Sequence, residues 1–533
     1  MVELNEILKH FPKDEAYPYQ EEALLRIVRA FDIGGAKTIL LEAPVGFGKS
    51  AVAICLARYY KTAHILTPRK SLQDQYFEDF SQDVVTLKGM SSYPCYPAAD
   101  NRKSREFKPV SSPTYEQTIK LVESGRSPVF KGPSCASGPC RTSRDTFKEC
   151  VDVRPCPYQA AIYKAMSSPV TVSNLHSFIA NSLLLDRLKE KQLLIVDEAH
   201  DMRGILQDYL VVNFTVPYSI VSKRIDIPDY QDLKDWEDWF RQPIFVKDLD
   251  KEAMEIYLDS LKAFNKYDMK NFVISYEESP HTGDTKFTFQ PRNLGNAAEN
   301  FILKYGVRRI LMSGTIYDKK HFCMVNGLDE EDTIFIRMPS TFPPTKCPII
   351  LKKQAMSDNS YKGLEQNFER NVSAIKRAMA VYHNVRGLIH APSYDVARRL
   401  QIAIGSDRVI SHTPESFQET LRYFQEESPD NTVLISPTCV QGIDLKYDRA
   451  RFQMIVRVPY PNASDAFMKD LFETSPQAYF YEALVSFGQM LGRVMRAPDD
   501  WGHTILLDER FDGFIKKHYK WLGEDVMKRV QKT

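Results

Sequence analysis

The sequence predicts an α/β protein made of two parallel-sheet domains in tandem, the first interrupted by two insertions. Eight short, β-branched apolar runs end abruptly in small, polar or charged residues, mostly with a helical pattern behind them, which is the rhythm of parallel α/β units. They fall into two groups, before residue 320 and after residue 380, on either side of the Pro-rich linker Phe342-Pro-Pro-Thr-Lys-Cys-Pro348. Two stretches, 89–160 and 206–290, lack the rhythm and read as insertions.

In chain order the first four runs are Thr38–Glu42, Ala63–Thr67, Leu193–Val196 and Arg309–Met312. The second four are Gly387–His390, Thr432–Ile435, Met454–Val458 and Thr504–Leu507. The first domain is therefore expected over 1–88, 161–205 and 291–335, and the second over 336–533, closing with one amphipathic helix from Phe511 to Thr533. The insertion at 89–160 is loop-rich and mildly basic, with ten Lys and Arg against six Asp and Glu between 96 and 149. The insertion at 206–290 reads as helix around Trp236, Trp239 and Phe240. Between 226 and 260 it carries eleven acidic residues against four basic ones. A surface of that sign repels phosphates, so it suits the docking of a protein partner or the guarding of a pore better than a grip on nucleic acid.

Composition removes other classes. Apolar residues at 43% and charged residues at 26% of 533 exclude wholesale disorder and collagen-like repeats. A formal net charge of +1 means that any nucleic-acid surface is local. No run approaches the ~20 apolar residues that span a bilayer, and the acidic start lacks the features of a signal peptide. A soluble, intracellular, monomeric protein without a membrane partner is expected, nucleoid-associated in a prokaryote. Nine cysteines are too few for a disulfide scaffold, yet five of them lie between Cys95 and Cys156.

Ala43-Pro-Val-Gly-Phe-Gly-Lys-Ser50 follows a strand and opens a helix, matching G-x-x-x-x-G-K-[ST] except for Ala43 at its first position. Residues Ala43, Pro44, Val45, Gly46, Phe47, Gly48, Lys49 and Ser50 are thus the expected ATP phosphate cradle. Gly46 and Gly48 admit close backbone approach, Lys49 reaches the β and γ phosphates, and Ser50 meets Mg²⁺. Leu193-Leu-Ile-Val-Asp-Glu-Ala-His200 empties an apolar strand into two carboxylates. Asp197 is expected on Mg²⁺, and Glu198 as the base that orients and deprotonates the attacking water. Near the other end, Gln489, Arg493 and Arg496 recur at helical spacing, so that one face can reach a γ-phosphate across a cleft. Gln20, in Ala16-Tyr-Pro-Tyr-Gln20, is the candidate adenine contact.

The order of these motifs resembles that of superfamily 2 helicases. Ala43–Ser50 resembles motif I, Thr67–Gln75 motif Ia, Asp197–His200 motif II with its DEAH box, and Met312–Thr315 motif III. His390–Tyr394 resembles motif IV, Gln441–Leu445 motif V and Gln489–Arg496 motif VI. The cysteine-rich insertion, Cys156-Pro-Tyr158, Asn174-Leu-His176 and Val458-Pro-Tyr-Pro-Asn462 are similar to the XPD and DinG group of iron–sulfur helicases.

That resemblance implies two RecA-like motor domains that bind ATP and Mg²⁺ between them, with an iron–sulfur domain and a helical arch inserted in the first. It implies a 5′ to 3′ DNA helicase acting on single-stranded and forked DNA in repair or replication. Asp444, together with Gln441 and Gly442, would sense closure from the second domain, and Ser313 and Thr315 would couple nucleotide to strand. A 4Fe–4S cluster would take Cys95, Cys150 and Cys156, with Cys140 or Cys135 as the fourth thiolate and Cys140 preferred for its nearness. Four thiolates also suit tetrahedral zinc, so spacing alone leaves both metals open. From the residues alone, Thr67, Arg69, Tyr93, Tyr96, Arg102, Lys103 and Arg105 are candidate strand contacts. An ATP-gated scaffold on DNA, or an RNA- or branch-remodelling translocase, is the competing function.

Overall fold

The structure, a computed structural model, describes residues 3–95, 134–137, 156–185, 188–221, 227–228, 230, 233–246, 254, 258, 272–438, 445, 447–495 and 499–532. Its strands, in chain order, are β1 Thr38–Glu42, β2 Ala63–Thr67, β3 Val85–Leu87, β4 Val170–Asn174, β5 Lys191–Asp197, β6 Val212–Val216, β7 Phe272–Glu278, β8 Thr285–Pro291, β9 Gly306–Ser313 and β10 Thr333–Arg337. They continue as β11 Ile349–Leu351, β12 Gly387–His390, β13 Val409–Ser411, β14 Val433–Ser436, β15 Phe452–Ile455, β16 His503–Leu506 and β17 Val530–Lys532.

Among the described residues the first motor domain is one parallel sheet in the order β10-β1-β9-β5-β2-β4-β3. The second is another parallel sheet, β13-β14-β12-β15-β16-β11-β17. Every residue of β1, β2, β12, β14 and β15 is buried, as expected of parallel strands covered on both faces. Both layers of helices are apolar inward, and one core cluster runs from Leu194 and Leu311 of the first domain to Leu484 and Phe487 of the second. All eight expected runs lie on strands, with Met454–Val458 sitting two residues late relative to β15.

Three expectations need correction. The helix expected around Trp236, Trp239 and Phe240 is present as Leu233–Phe240, but the described part of the insertion at 206–290 packs it on an antiparallel sheet, β6-β8-β7, that was not expected. Phe287 and Phe289 of β8 point the same way at period two. With Phe214 they bury Trp236, Trp239 and Phe240 of the helix Leu233–Phe240. The C-terminal segment is not one helix, because Gly523 takes φ 80° inside Tyr519–Arg529 and the chain ends as β17 on the sheet edge. Motif VI is not helical throughout either: the helix Pro476–Leu491 stops before Arg493.

No helix among the described residues is long and apolar enough to cross a membrane.

Candidate active site

The phosphate-loop candidate sits between the carboxyl end of β1 and the helix Lys49–Tyr59. Gly46 and Gly48 take φ 78° and 80°, a left-handed region open to glycine at no steric cost. A Cβ on Gly48 would overlap Gln20 Nε2. Gln20 holds the loop from outside: Nε2 donates to the Phe47 carbonyl at 2.8 Å, while Oε1 accepts from the Tyr17 amide at 2.7 Å. The side chain expected to meet adenine is thus buried, and both ends of its amide are engaged inside the protein. Lys49 Nζ donates to the Ala43 carbonyl at 3.3 Å.

Asp197 closes β5 in the middle of the sheet, and Glu198 follows in left-handed backbone at φ 51°. Asp197 Oδ1 accepts from the Glu198 amide at 2.9 Å, and Oδ2 accepts from the Tyr76 phenol at 2.9 Å. Burial, aided by the Glu198 carboxylate and opposed by Lys49, pushes the Asp197 carboxyl up to about 6. A buried acid raised in this way favours a cation beside it, as a Mg²⁺ ligand requires. Tyr76 is a site residue that sequence reasoning missed. It lies on the helix Lys70–Phe80, and no motif spacing marks it.

From Glu198 the chain turns so that His200 Nδ1 meets Ser313 Oγ at 2.9 Å, joining motifs II and III. Ser313 Oγ also accepts from the Thr315 amide at 3.1 Å. Thr315 Oγ1 in turn accepts from Gln489 Nε2 at 2.7 Å, which carries the connection into the second domain. Arg493, just beyond the helix Pro476–Leu491, folds back on its end, donating to the Gln489 carbonyl at 3.0 Å and to Gln489 Oε1 at 3.2 Å. Two glycines permit this approach: a Cβ on Gly488 would overlap the Tyr317 phenol, and one on Gly492 would press on Val45 at 3.0 Å. Farther along the same helix the Tyr481 phenol donates to the Ile316 carbonyl at 2.6 Å, and Glu482 pairs with buried Arg203 on the helix Met202–Leu210. An arrangement of this kind can hold a triphosphate between two domains, aim a water at it and register whether the domains are closed. Arg496, Asp444, Gln441 and Gly442 lie outside the described residues.

Beneath the first insertion, Cys95, Cys135 and Cys156 share one apolar cluster with Tyr93 and Tyr158. Pro94 and Ser134 form a β-bridge, and Cys135 Sγ lies 3.9 Å from Cys156 Sγ. The hydrogen bond from Cys135 brings the Cys156 thiol down to about 6. Cys140 and Cys150 lie outside the described residues, and among those described no three metal-donor side chains come together. Of the candidate strand contacts, Tyr93 is buried and its phenol accepts from the Lys88 amide. Thr67 is buried with its hydroxyl on the Arg69 carbonyl, and Arg69 faces Asp201 at 3.6 Å. Tyr96, Arg102, Lys103 and Arg105 lie outside the described residues.

Residues 13–214 match the family described as type III restriction enzyme, res subunit, and residues 376–525 match the helicase C-terminal domain. The chain is 23% identical over 439 residues to the ATP-dependent DNA helicase XPD of Sulfolobus acidocaldarius, covering 70% of this chain and 75% of that one. It is 20% identical over 612 aligned positions to the ATP-dependent DNA helicase YoaA of Escherichia coli, covering 95% and 93%.

By these matches the chain is similar to the XPD/DinG-like group of superfamily 2 helicases. A solved XPD helicase matches its fold with a TM-score of 0.62 at 15% identity, over 98% of this chain and 100% of that one. As an XPD/DinG-like chain it is an enzyme of the ATP-hydrolysing helicase class.

Proposed function

We propose that the protein is an ATP-dependent DNA helicase that moves 5′ to 3′ along single-stranded DNA and opens forked duplexes, in DNA repair or replication. The observation that carries this reading is the hydrogen-bonded line from His200 through Ser313 and Thr315 to Gln489. It ties the turn that follows β5, where His200 lies, to the second domain.

Residues Ala43 to Ser50 cradle the triphosphate, with Lys49 on its β and γ phosphates. Ser50 and Asp197 hold Mg²⁺, which supplies charge neutralisation on the phosphates. Glu198 orients the water and takes its proton; Gln489, Arg493 and Arg496 stabilise charge on the γ-phosphate from across the cleft. Gln20 acts through the loop it braces, and Asp444 reports closure. The acidic insertion, whose described part presents Asp235, Glu237 and Asp238 on one helix, offers a protein partner a docking face.

Cys95, Cys150 and Cys156 with Cys135 or Cys140 are the proposed ligands of a 4Fe–4S cluster, which would brace the insertion. The shared burial of three of these cysteines and the lowered Cys156 thiol fit a thiolate donor set. One observation favours zinc as a second reading: two sulfurs on one zinc with Zn–S of about 2.3 Å stand about 3.8 Å apart, close to the separation seen.

The test joins two measurements on anaerobically purified protein. About four irons and four sulfides per chain are expected, together with strand displacement on 5′-tailed duplexes and little on 3′-tailed ones. ATP hydrolysis indifferent to DNA would overturn the helicase reading, and one zinc per chain would replace the cluster.

A further inference from the structure

A second cleft lies where the chain passes from one motor domain to the other. β10 ends at Arg337, which donates to the Trp521 carbonyl at 3.3 Å. The segment that follows is tied to the C-terminal helix Tyr519–Arg529 at two points. The Ser340 amide donates to Asp525 at 2.7 Å, and Arg529 Nε donates to the Cys347 carbonyl at 2.8 Å. Between these pieces, the phosphate loop and the helix Pro476–Leu491 the protein leaves a cleft of about 590 Å³. It touches the loop at Pro44 and Val45, yet none of Gly46 to Ser50, Asp197, Glu198, Gln489 or Arg493 lines it. Clefts of about 300–1,000 Å³ at domain interfaces are common places for small ligands.

Three acids and three bases line the cleft, so what distinguishes them is which are already engaged. Glu42 is paired with Arg337 and accepts from the Ile316 amide at 3.0 Å. Asp525 accepts from the Ser340 amide, and exposed Glu524 pairs with Lys528 at 3.2 Å. Every acid therefore has a partner in the protein. Arg529 differs: half-buried and fixed through Nε, it has no other hydrogen bond and no ion pair among the described residues. Lys520, exposed at the rim, has none either. An arginine held by Nε with both terminal nitrogens open presents the fork that a carboxylate, sulfonate or phosphate takes. The rest of the lining is largely apolar, with Phe342, Leu491, Met495 and Val526, while Gly492 and Gly523 put no side chain into the space.

We propose that this cleft is a second ligand site, taking a compact aromatic anion whose charged group meets Arg529 and whose rings lie against Leu491, Met495 and Val526. The site stands apart from the nucleotide cradle and does not depend on the helicase reading. A molecule bound there touches both motor domains and the segment that joins them, so it favours the arrangement seen here.

The probe is anilinonaphthalene sulfonate, an aromatic anion whose fluorescence rises in apolar surroundings, titrated into the full chain with and without saturating ADP and Mg²⁺. Phenylnaphthylamine, the same rings without the sulfonate, is its neutral control. One saturable site that prefers the anion is expected, whether or not ADP is present. Arg529→Gln should weaken the sulfonate roughly tenfold, the scale of one charged hydrogen-bonding group, and leave the neutral probe unchanged. Arg529→Lys should keep most of the preference, since the charge remains. Val526→Phe, which fills part of the cleft, should weaken both probes. Displacement by ADP would put the probe in the nucleotide cradle and overturn the site. So would binding that never saturates, equal affinity for the two probes, or a sulfonate affinity unchanged in Arg529→Gln. Should the melting curve show Arg529→Gln unfolded, unchanged affinities in Val526→Phe would overturn the site in its place.

Discussion

The nucleotide cleft and the cysteine cluster are both expected from short motifs, yet they are held together by different forces. In the cleft, Asp197 closes a buried parallel strand, Lys49 and Gln489 stand on helices, and Gln20, Tyr76 and Gln489 fix their neighbours by hydrogen bonds. The described cysteines of the first insertion, Cys95, Cys135 and Cys156, are brought together by the Pro94–Ser134 β-bridge, a small apolar cluster and the Cys135–Cys156 contact. The cleft is organised by the fold before any ligand arrives, whereas the insertion has a donor set whose organisation a metal completes.

Removing the part that touches the ligand should have the largest effect. Lys49→Ala is expected to lower ATP hydrolysis by at least about 100-fold with the melting temperature nearly unchanged, as measured by phosphate release and thermal shift. A marked loss of stability would mean that the cleft depends on this side chain for its fold.

Cys156→Ser addresses the other region. Bound metal and strand displacement should be lost while DNA-stimulated ATP hydrolysis falls only severalfold, because neither motor sheet includes the insertion. Complete loss of hydrolysis, measured beside metal content, would erase the distinction between the two regions.

The smallest expected effect compares two cysteines in metal-free protein. Cys55, packed in the helix Lys49–Tyr59, has its thiol pushed up to about 12 by burial, while Cys156 is lowered to about 6. Iodoacetamide followed by peptide mass spectrometry should therefore label Cys156 at a rate that rises through pH 6 and levels above it, leaving Cys55 unlabelled in the folded chain. The sign for stability follows the same shift. A depressed thiol stabilises the metal-free fold above the ordinary thiol range and loses that contribution as pH falls through about 6. Equal labelling of the two cysteines would remove the basis for treating Cys156 as a thiolate ligand.

Much of the fold was legible in the sequence because parallel strands buried on both faces are continuous apolar runs, as at Leu193–Val196 and Thr432–Ile435. The strands that escaped are mostly short or at edges, such as Val85–Leu87, Val409–Ser411 and Val530–Lys532, where three residues show no period. The antiparallel sheet of the second insertion was missed although Phe287 and Phe289 alternate, since the acidic, Trp-bearing segment before them suggested helix. Within the cleft, residues in local motifs were readable. Tyr76 and Asp197 are 121 positions apart and Arg203 and Glu482 are 279 apart, so no local pattern announces either pair.

The hydrogen-bonded line from His200 to Gln489 also has a thermodynamic meaning. It crosses from one motor domain to the other, so it exists only when they are together, and a ligand that favours their union favours the line. If nucleotide and strand each bind better to the closed form, each must raise the affinity of the other by the same factor. Measuring how tightly the strand is held with and without nucleotide then gives, with no separate experiment, how much the strand tightens the grip on nucleotide.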